Sequence, residues 1–230
     1  MIFNGLKNFD SDLNDFKDLA IAIKMTDKET QQCHLGIFLK NELMEQPKML
    51  HLGWHNDFRF ELVQGRNYFF LDTCKGINKE IIEDFVDWLA TLWEINGSNI
   101  PYGLVMDHSK NYISSDTAII KTEIGQGFTC ATFVMQCFKA WGFEFLDTSS
   151  WPIREEDIKW KDRVFWLLEK EEGIDMKHIE IQRKDTTIIR FRPEEVAAAA
   201  NMNDFSSELL LNYEEVEPSG KELVRCLTGM

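Results

Sequence analysis

The stretch GFTCATFV, residues 127–134, sets the terms on which the rest of the chain is read. Gly127 and Thr129 precede an apolar run in which Phe133, Val134, Cys137, Phe138 and Trp141 recur at three- and four-residue steps until Gly142. That spacing predicts a helix with Cys130 in its first turn. A thiol placed there feels the positive end of the helix dipole, which lowers its pKa, and a nearby imidazole would lower it further. Free cysteine is otherwise among the most buried residue types and behaves as a small hydrophobe. A histidine partner is what separates the two roles.

Working outward, the chain holds five histidines: His34, His51, His55, His108 and His178. The runs HLGIFL (34–39) and LHL (50–52) read as consecutive strands joined by a polar loop containing Pro47. In a hairpin, side chains of like parity share a face, so His34 and His51 are expected together, the first as base and the second as orienting group. The plainer expectation for either is a strand histidine satisfied by backbone. His55 lies in WHND (54–57), which reads as a turn, and His108 in MDHSK (106–110), which reads as a solvated loop. His178 is the rival base: it begins a predicted strand after Cys130, giving the cysteine-then-histidine order of many thiol hydrolases.

The remaining pattern predicts an α+β fold in one domain spanning residues 1–230. Short apolar runs at 19–25, 34–39, 49–54, 58–62 and 68–71, punctuated by Gly, Pro, Asn and Asp, predict an antiparallel meander, so residues 1–75 form the histidine-bearing strands. Residues 76–150 hold the helices, first one over 78–96 with an Asn78 cap, then the Cys130 helix after a long connection over 97–127. Residues 151–230 form a C-terminal extension without an interpretable motif. There the pattern predicts a helix over 155–171, a strand pair around 178–182 and 187–191, and a short helix opened by Pro193. Of the seven tryptophans, Trp54 and Trp151 adjoin the candidate site segments and are candidates to line a pocket, with core packing an equally supported reading of each.

Composition removes several function classes. With 25 basic and 39 acidic residues the net charge is −14, which repels nucleic-acid backbones and anionic membranes, and no Lys/Arg run overrides it. The five cysteines, Cys33, Cys74, Cys130, Cys137 and Cys226, form no CxxC pair, which argues against a disulfide framework or zinc ribbon. No metal or cofactor is expected: there is no helical HxxxH pair and no phosphate-cradling glycine motif. The N-terminus MIFNGLKNFDSDLNDF has no export-signal pattern and no apolar run approaches a membrane span, so a cytoplasmic location is expected.

Three segments, taken together, carry a resemblance. IPYG (100–103), GFTCATFV (127–134) and WGFEFLDTSS (141–150) resemble the NlpC/P60 group of papain-like cysteine hydrolases in order and spacing. The pair HLGIFL and LHL resembles the histidine strands of that group but precedes the cysteine, as in the circularly permuted branch that includes YiiX-like and lecithin retinol acyltransferase-like proteins. A permutation changes chain order and leaves a spatial site intact. The resemblance covers roughly residues 33–151, and Thr129 stands where the group has aspartate. It implies a papain-like fold with Cys130 as nucleophile, His34 as base, His51 as orienting residue, and Tyr102 with Trp54 at the substrate. The implied substrate is a small molecule, peptide or acyl compound. Two alternatives stand beside it: a thiol hydrolase using His178, and a non-catalytic interaction module binding a partner through the acidic region 208–222.

Overall fold

The computed structural model describes residues 5–229, so the first four residues of the N-terminal stretch considered above lie outside it. Its centre is a six-stranded, wholly antiparallel sheet of order β1-β6-β2-β3-β4-β5, with β1 Lys7–Asn8, β2 Leu19–Asp27, β3 Gln32–Leu39, β4 Lys48–Trp54, β5 Asp57–Glu61 and β6 Phe69–Asp72. Strands β2 to β5 form the expected meander. Alternation divides each strand between two layers: Leu35, Ile37, Leu50 and Leu52 join the main core, whereas Phe38 and Met49 join a second cluster with Phe9, Tyr68 and Phe70.

Helix α1 (Lys79–Asn96) follows the sheet, capped by the Asn78 side chain on the Glu80 amide. It buries Phe85, Val86, Leu89 and Leu92. Helix α2 (Cys130–Ala140) packs across β3 and β4, and each large aliphatic side chain it buries contributes about 1.5–3 kcal/mol. The C-terminal segment adds α3 (Glu156–Leu168), α4 (Met176–Lys184), α5 (Pro193–Met202) and α6 (Tyr213–Gly229). Far from being an appendage, it completes the core: Val196, Ala197, Val216, Leu223 and Leu227 belong to the same cluster as Leu35 and Phe133.

Two expectations fail here. The predicted strand at 178–182 is helix α4, capped by Asp175 on the Lys177 amide, and 187–191 is irregular rather than a partner strand. The alternation of Ile179 and Ile181 misleads because only Ile179 is buried, with His178 and Gln182 completing a helical stripe. Helix α6 escaped prediction because Pro218 and Gly220 interrupt its pattern, yet Gly220 is where the helix passes close to the Glu195 backbone of α5.

The geometry that places α2 depends on two glycines. Residues 101–103 run alongside 127–128, with the Phe128 amide donating to the Pro101 carbonyl at 3.1 Å and the Gly103 amide donating to the Phe128 carbonyl at 3.1 Å. A Cβ on Gly127 would lie 2.6 Å from the Pro101 oxygen and 2.7 Å from the Gly103 nitrogen, both backbone atoms that cannot rotate away. Gly127→Ala is therefore expected to destabilise the fold by about 3 kcal/mol, at the upper end of overpacking costs, read as a lower urea midpoint. Wild-type stability in Gly127→Ala would show that this crossing does not fix the helix start.

Candidate active site

Cys130 occupies the first position of α2 as predicted, and the local sequence explains how it is held. Thr129 is the N-cap: its hydroxyl accepts from the Thr132 amide at 3.2 Å, while its own amide donates to the Thr132 hydroxyl at 2.8 Å. Threonine thus does at this position what a capping aspartate would do. The backbone amides of Leu35 and Ala131 lie close enough to the Cys130 sulfur to favour its thiolate. The β3–β4 ladder runs from Leu39 opposite Lys48 to Ile37 opposite Leu50, and the Leu35 amide lies beyond that end. Because the Leu35 nitrogen is bonded to the His34 carbonyl carbon, a sulfur close to it lies beside the His34 backbone.

His34 and His51 are brought together, as parity predicts. The His34 Nε2 and His51 Nδ1 are 2.9 Å apart, with the rings edge to face. Both side chains point away from the layer in which Leu35, Leu50 and Leu52 meet α2, and His34 contacts the ring of Tyr68. Cys130 and His34 line one cavity, and His51 is hydrogen-bonded to His34.

A residue absent from the sequence reading extends the row: Glu61 Oε1 lies 3.3 Å from His51 Nε2, and the same oxygen accepts from Arg66 at 2.7 Å. Burial opposes ionisation of Glu61, but the Arg66 guanidinium and the His51 hydrogen bond outweigh it and hold the carboxyl below its usual range. The protons then follow by elimination. An ionised Glu61 only accepts, so His51 Nε2 carries hydrogen; His51 Nδ1 then accepts, so His34 Nε2 carries hydrogen; and His34 Nδ1 keeps its lone pair. That atom is the ring nitrogen left able to accept a proton. Nothing in the sequence distinguished Glu61 from an ordinary strand-end carboxylate; only its register opposite Met49, two residue pairs along from His51 and Arg59, reveals it.

Burial sets the charge state of the resting pair. It pushes the Cys130 thiol up to about 11, against the pull of the Leu35 and Ala131 amides and of the Arg190 charge. Burial also pushes His34 down to about 3, with the neighbouring His51 acting the same way, and His51 is lowered as well, again chiefly by burial. At neutral pH the pair is a neutral thiol beside a neutral imidazole.

A cavity of about 580 Å³ opens on these groups. Cys130, His34, Trp54 and Tyr102 line it, the Trp54 and Tyr102 rings lying 4.5 Å apart, with the Trp54 indole donating to Glu171 at 2.9 Å. Its far wall is α3, part of the segment in which the sequence offered no motif. Trp151 does not line it. Buried against Phe191 and Tyr213, that indole donates to Glu195 at 3.1 Å, so of its two readings the core one holds.

His178 is buried on α4 rather than at a strand start, and it is not among the residues lining this cavity. Its Nδ1 accepts from the Gly125 amide at 3.1 Å and its Nε2 lies 2.9 Å from the Tyr102 carbonyl oxygen, so both ring nitrogens are occupied by backbone. His108 is half-buried against Phe191 rather than fully solvated. Among the described residues no three His, Cys, Asp or Glu side chains converge as a metal site, and no helix is long and apolar enough to cross a membrane.

No protein-family model matches the chain, and neither a curated protein nor a solved structure matches it. The fold is an α+β arrangement of a six-stranded antiparallel sheet and helices, and the site has to be judged on its own chemistry.

Proposed function

We propose that the protein is a cysteine hydrolase or acyltransferase of papain-like, permuted NlpC/P60 type, acting on an amide, ester or thioester bond through Cys130, His34 and His51. One observation supports this most: a helix-start cysteine shares one cavity with His34, and hydrogen bonds run on from His34 through His51 to Glu61.

In the first half-reaction the Cys130 sulfur attacks the scissile carbonyl carbon as its proton passes to His34 Nδ1. The new S–C bond turns the carbonyl oxygen into an oxyanion, for which the backbone N–H of Cys130 at the start of α2 is the donor. Collapse breaks the bond to the leaving group, which takes the proton from His34. In the second half, water or an acceptor hydroxyl or amine attacks the thioester and loses its proton to His34. The sulfur leaves and recovers that proton. His51 and Glu61 hold the tautomer throughout, and His51 spreads the positive charge that develops on His34. Tyr102 and Trp54 form the aromatic wall against which the acyl body lies.

Intact-mass spectrometry after mixing with a panel of acyl thioesters and activated esters tests this. An added acyl mass that maps to Cys130, is discharged by hydroxylamine and is absent from Cys130→Ser is the expected result. Turnover without any adduct, unchanged in Cys130→Ser, would refute it.

A further inference from the structure

The wall supplied by α3 has a chemistry of its own. Residues Glu156, Lys159, Trp160, Arg163, Val164 and Leu167 face the cavity, at the three- and four-residue spacing of one helix face. Trp160, Val164 and Leu167 continue the apolar surface begun by Trp54 and Tyr102. Lys159 and Arg163 are exposed at the rim, one turn apart. Among the described residues neither is held in an ion pair; Arg163 acts only at a distance, on Asp27. Both charges thus stay free to meet a ligand in the cavity they line.

The two carboxylates that line the same cavity are already committed. Asp27 accepts from the Glu29 amide at 2.9 Å and the Thr30 amide at 3.3 Å, and Glu156 is bound to Arg192 at 2.9 Å. Deeper in, Arg190 lies over the Trp160 ring at 4.1 Å, bound to Asp157 and Gln32. Its Nε–H is buried without a hydrogen-bond partner, an uncommon condition for a charged donor in a cavity wall. The cavity lining thus combines a thiol, aromatic and aliphatic walls, two rim cations outside any ion pair, and one guanidinium N–H without a partner.

From this we infer that the cavity receives a small acyl compound with an apolar body and a terminal anion, a carboxylate or a phosphonate-like group, whose carbonyl lies at Cys130 and whose anion lies at Lys159 and Arg163. This rests on the function proposed above, whose acyl substrate it narrows. Apolar walls with a few well-placed polar groups are how small-molecule sites fix orientation. Arginine and lysine side by side bind a carboxylate or phosphonate by charge-assisted hydrogen bonds.

The test is a binding measurement on Cys130→Ser, in which no acyl transfer competes. Suberic acid monoamide, suberamide and the monoamide with a terminal phosphonate are titrated, following the fluorescence of Trp54 and Trp160 in the cavity. The acids are expected to bind about tenfold or more tightly than the neutral diamide, the size of one charge-assisted hydrogen bond. That advantage should collapse in Lys159→Gln/Arg163→Gln and persist in Arg163→Lys. The relative affinity of carboxylate and phosphonate identifies the anion. Equal binding of acid and diamide, no saturable binding of either, or an advantage that survives loss of both rim cations overturns the inference. An acid preference in Cys130→Ser with no Cys130 adduct in the wild-type protein would leave the anion site standing and remove the catalytic proposal, so the two fail separately.

Discussion

Cys130→Ala and His34→Ala are each expected to lower kcat by about 10⁴-fold or more, and the double variant to lose no more than the worse of the two. A thiol that burial holds near 11 is not a useful nucleophile at neutral pH unless a base removes its proton during attack. An imidazole with no thiol beside it has nothing to activate. If the two groups act as one unit, as proposed, their losses do not add. Steady-state kinetics on whichever acyl donor forms the Cys130 adduct provides the check. Additive losses would mean that His34 acts on another step.

The second large effect concerns the proton arrangement. His51→Leu removes the acceptor that takes the His34 Nε2 hydrogen, freeing the ring to adopt the tautomer with Nδ1–H toward the sulfur. A kcat loss of about 10²- to 10⁴-fold is expected, with KM little changed, on the scale seen when a triad's orienting group is lost. Glu61→Gln should cost less, about tenfold, because Glu61 is partly exposed and its contact with His51 is 3.3 Å. The same site fixes the pH profile. His34 must be unprotonated to act, and burial lowers it to about 3, so protonation does not silence the base until the pH approaches that value. kcat/KM should show no step near the ordinary imidazole pKa of about 6.5. An acid limb centred there would mean that His34 titrates as a solvent-exposed ring.

Much of the sheet was legible because its strands alternate cleanly: Leu35 and Ile37 face one layer while His34 and Phe38 face the other, and the pairing of His34 with His51 follows from that parity alone. The helix-start position of Cys130 was legible because Thr129 and the apolar spacing after it are local signals. Glu61, Lys159, Arg163 and Arg190 were not legible, since each acquires its place from contacts across the fold. Arg190 is brought to the cavity by Asp157 and Gln32, residues far from it in sequence. Helix α4 was misread because HIEIQ satisfies a two-residue period by coincidence, and tertiary burial of His178, Ile179 and Gln182 decides in favour of the helical one. The acidic region 208–222, read as a possible partner surface, overlaps α6, whose Val216 is fully in the core.

The most direct measurement is site-resolved alkylation of the native protein by iodoacetamide, followed by peptide mass spectrometry across pH, with His34→Ala and His178→Gln alongside. All five cysteines are buried, so ordinary accessibility does not single one out. The account predicts that Cys130 alone labels readily at neutral pH, that His34→Ala slows it about a hundredfold and shifts labelling toward the alkaline range where a buried thiol ionises, and that His178→Gln leaves it unchanged. Labelling of Cys130 no faster than that of Cys137, or equally fast with and without His34, would contradict it.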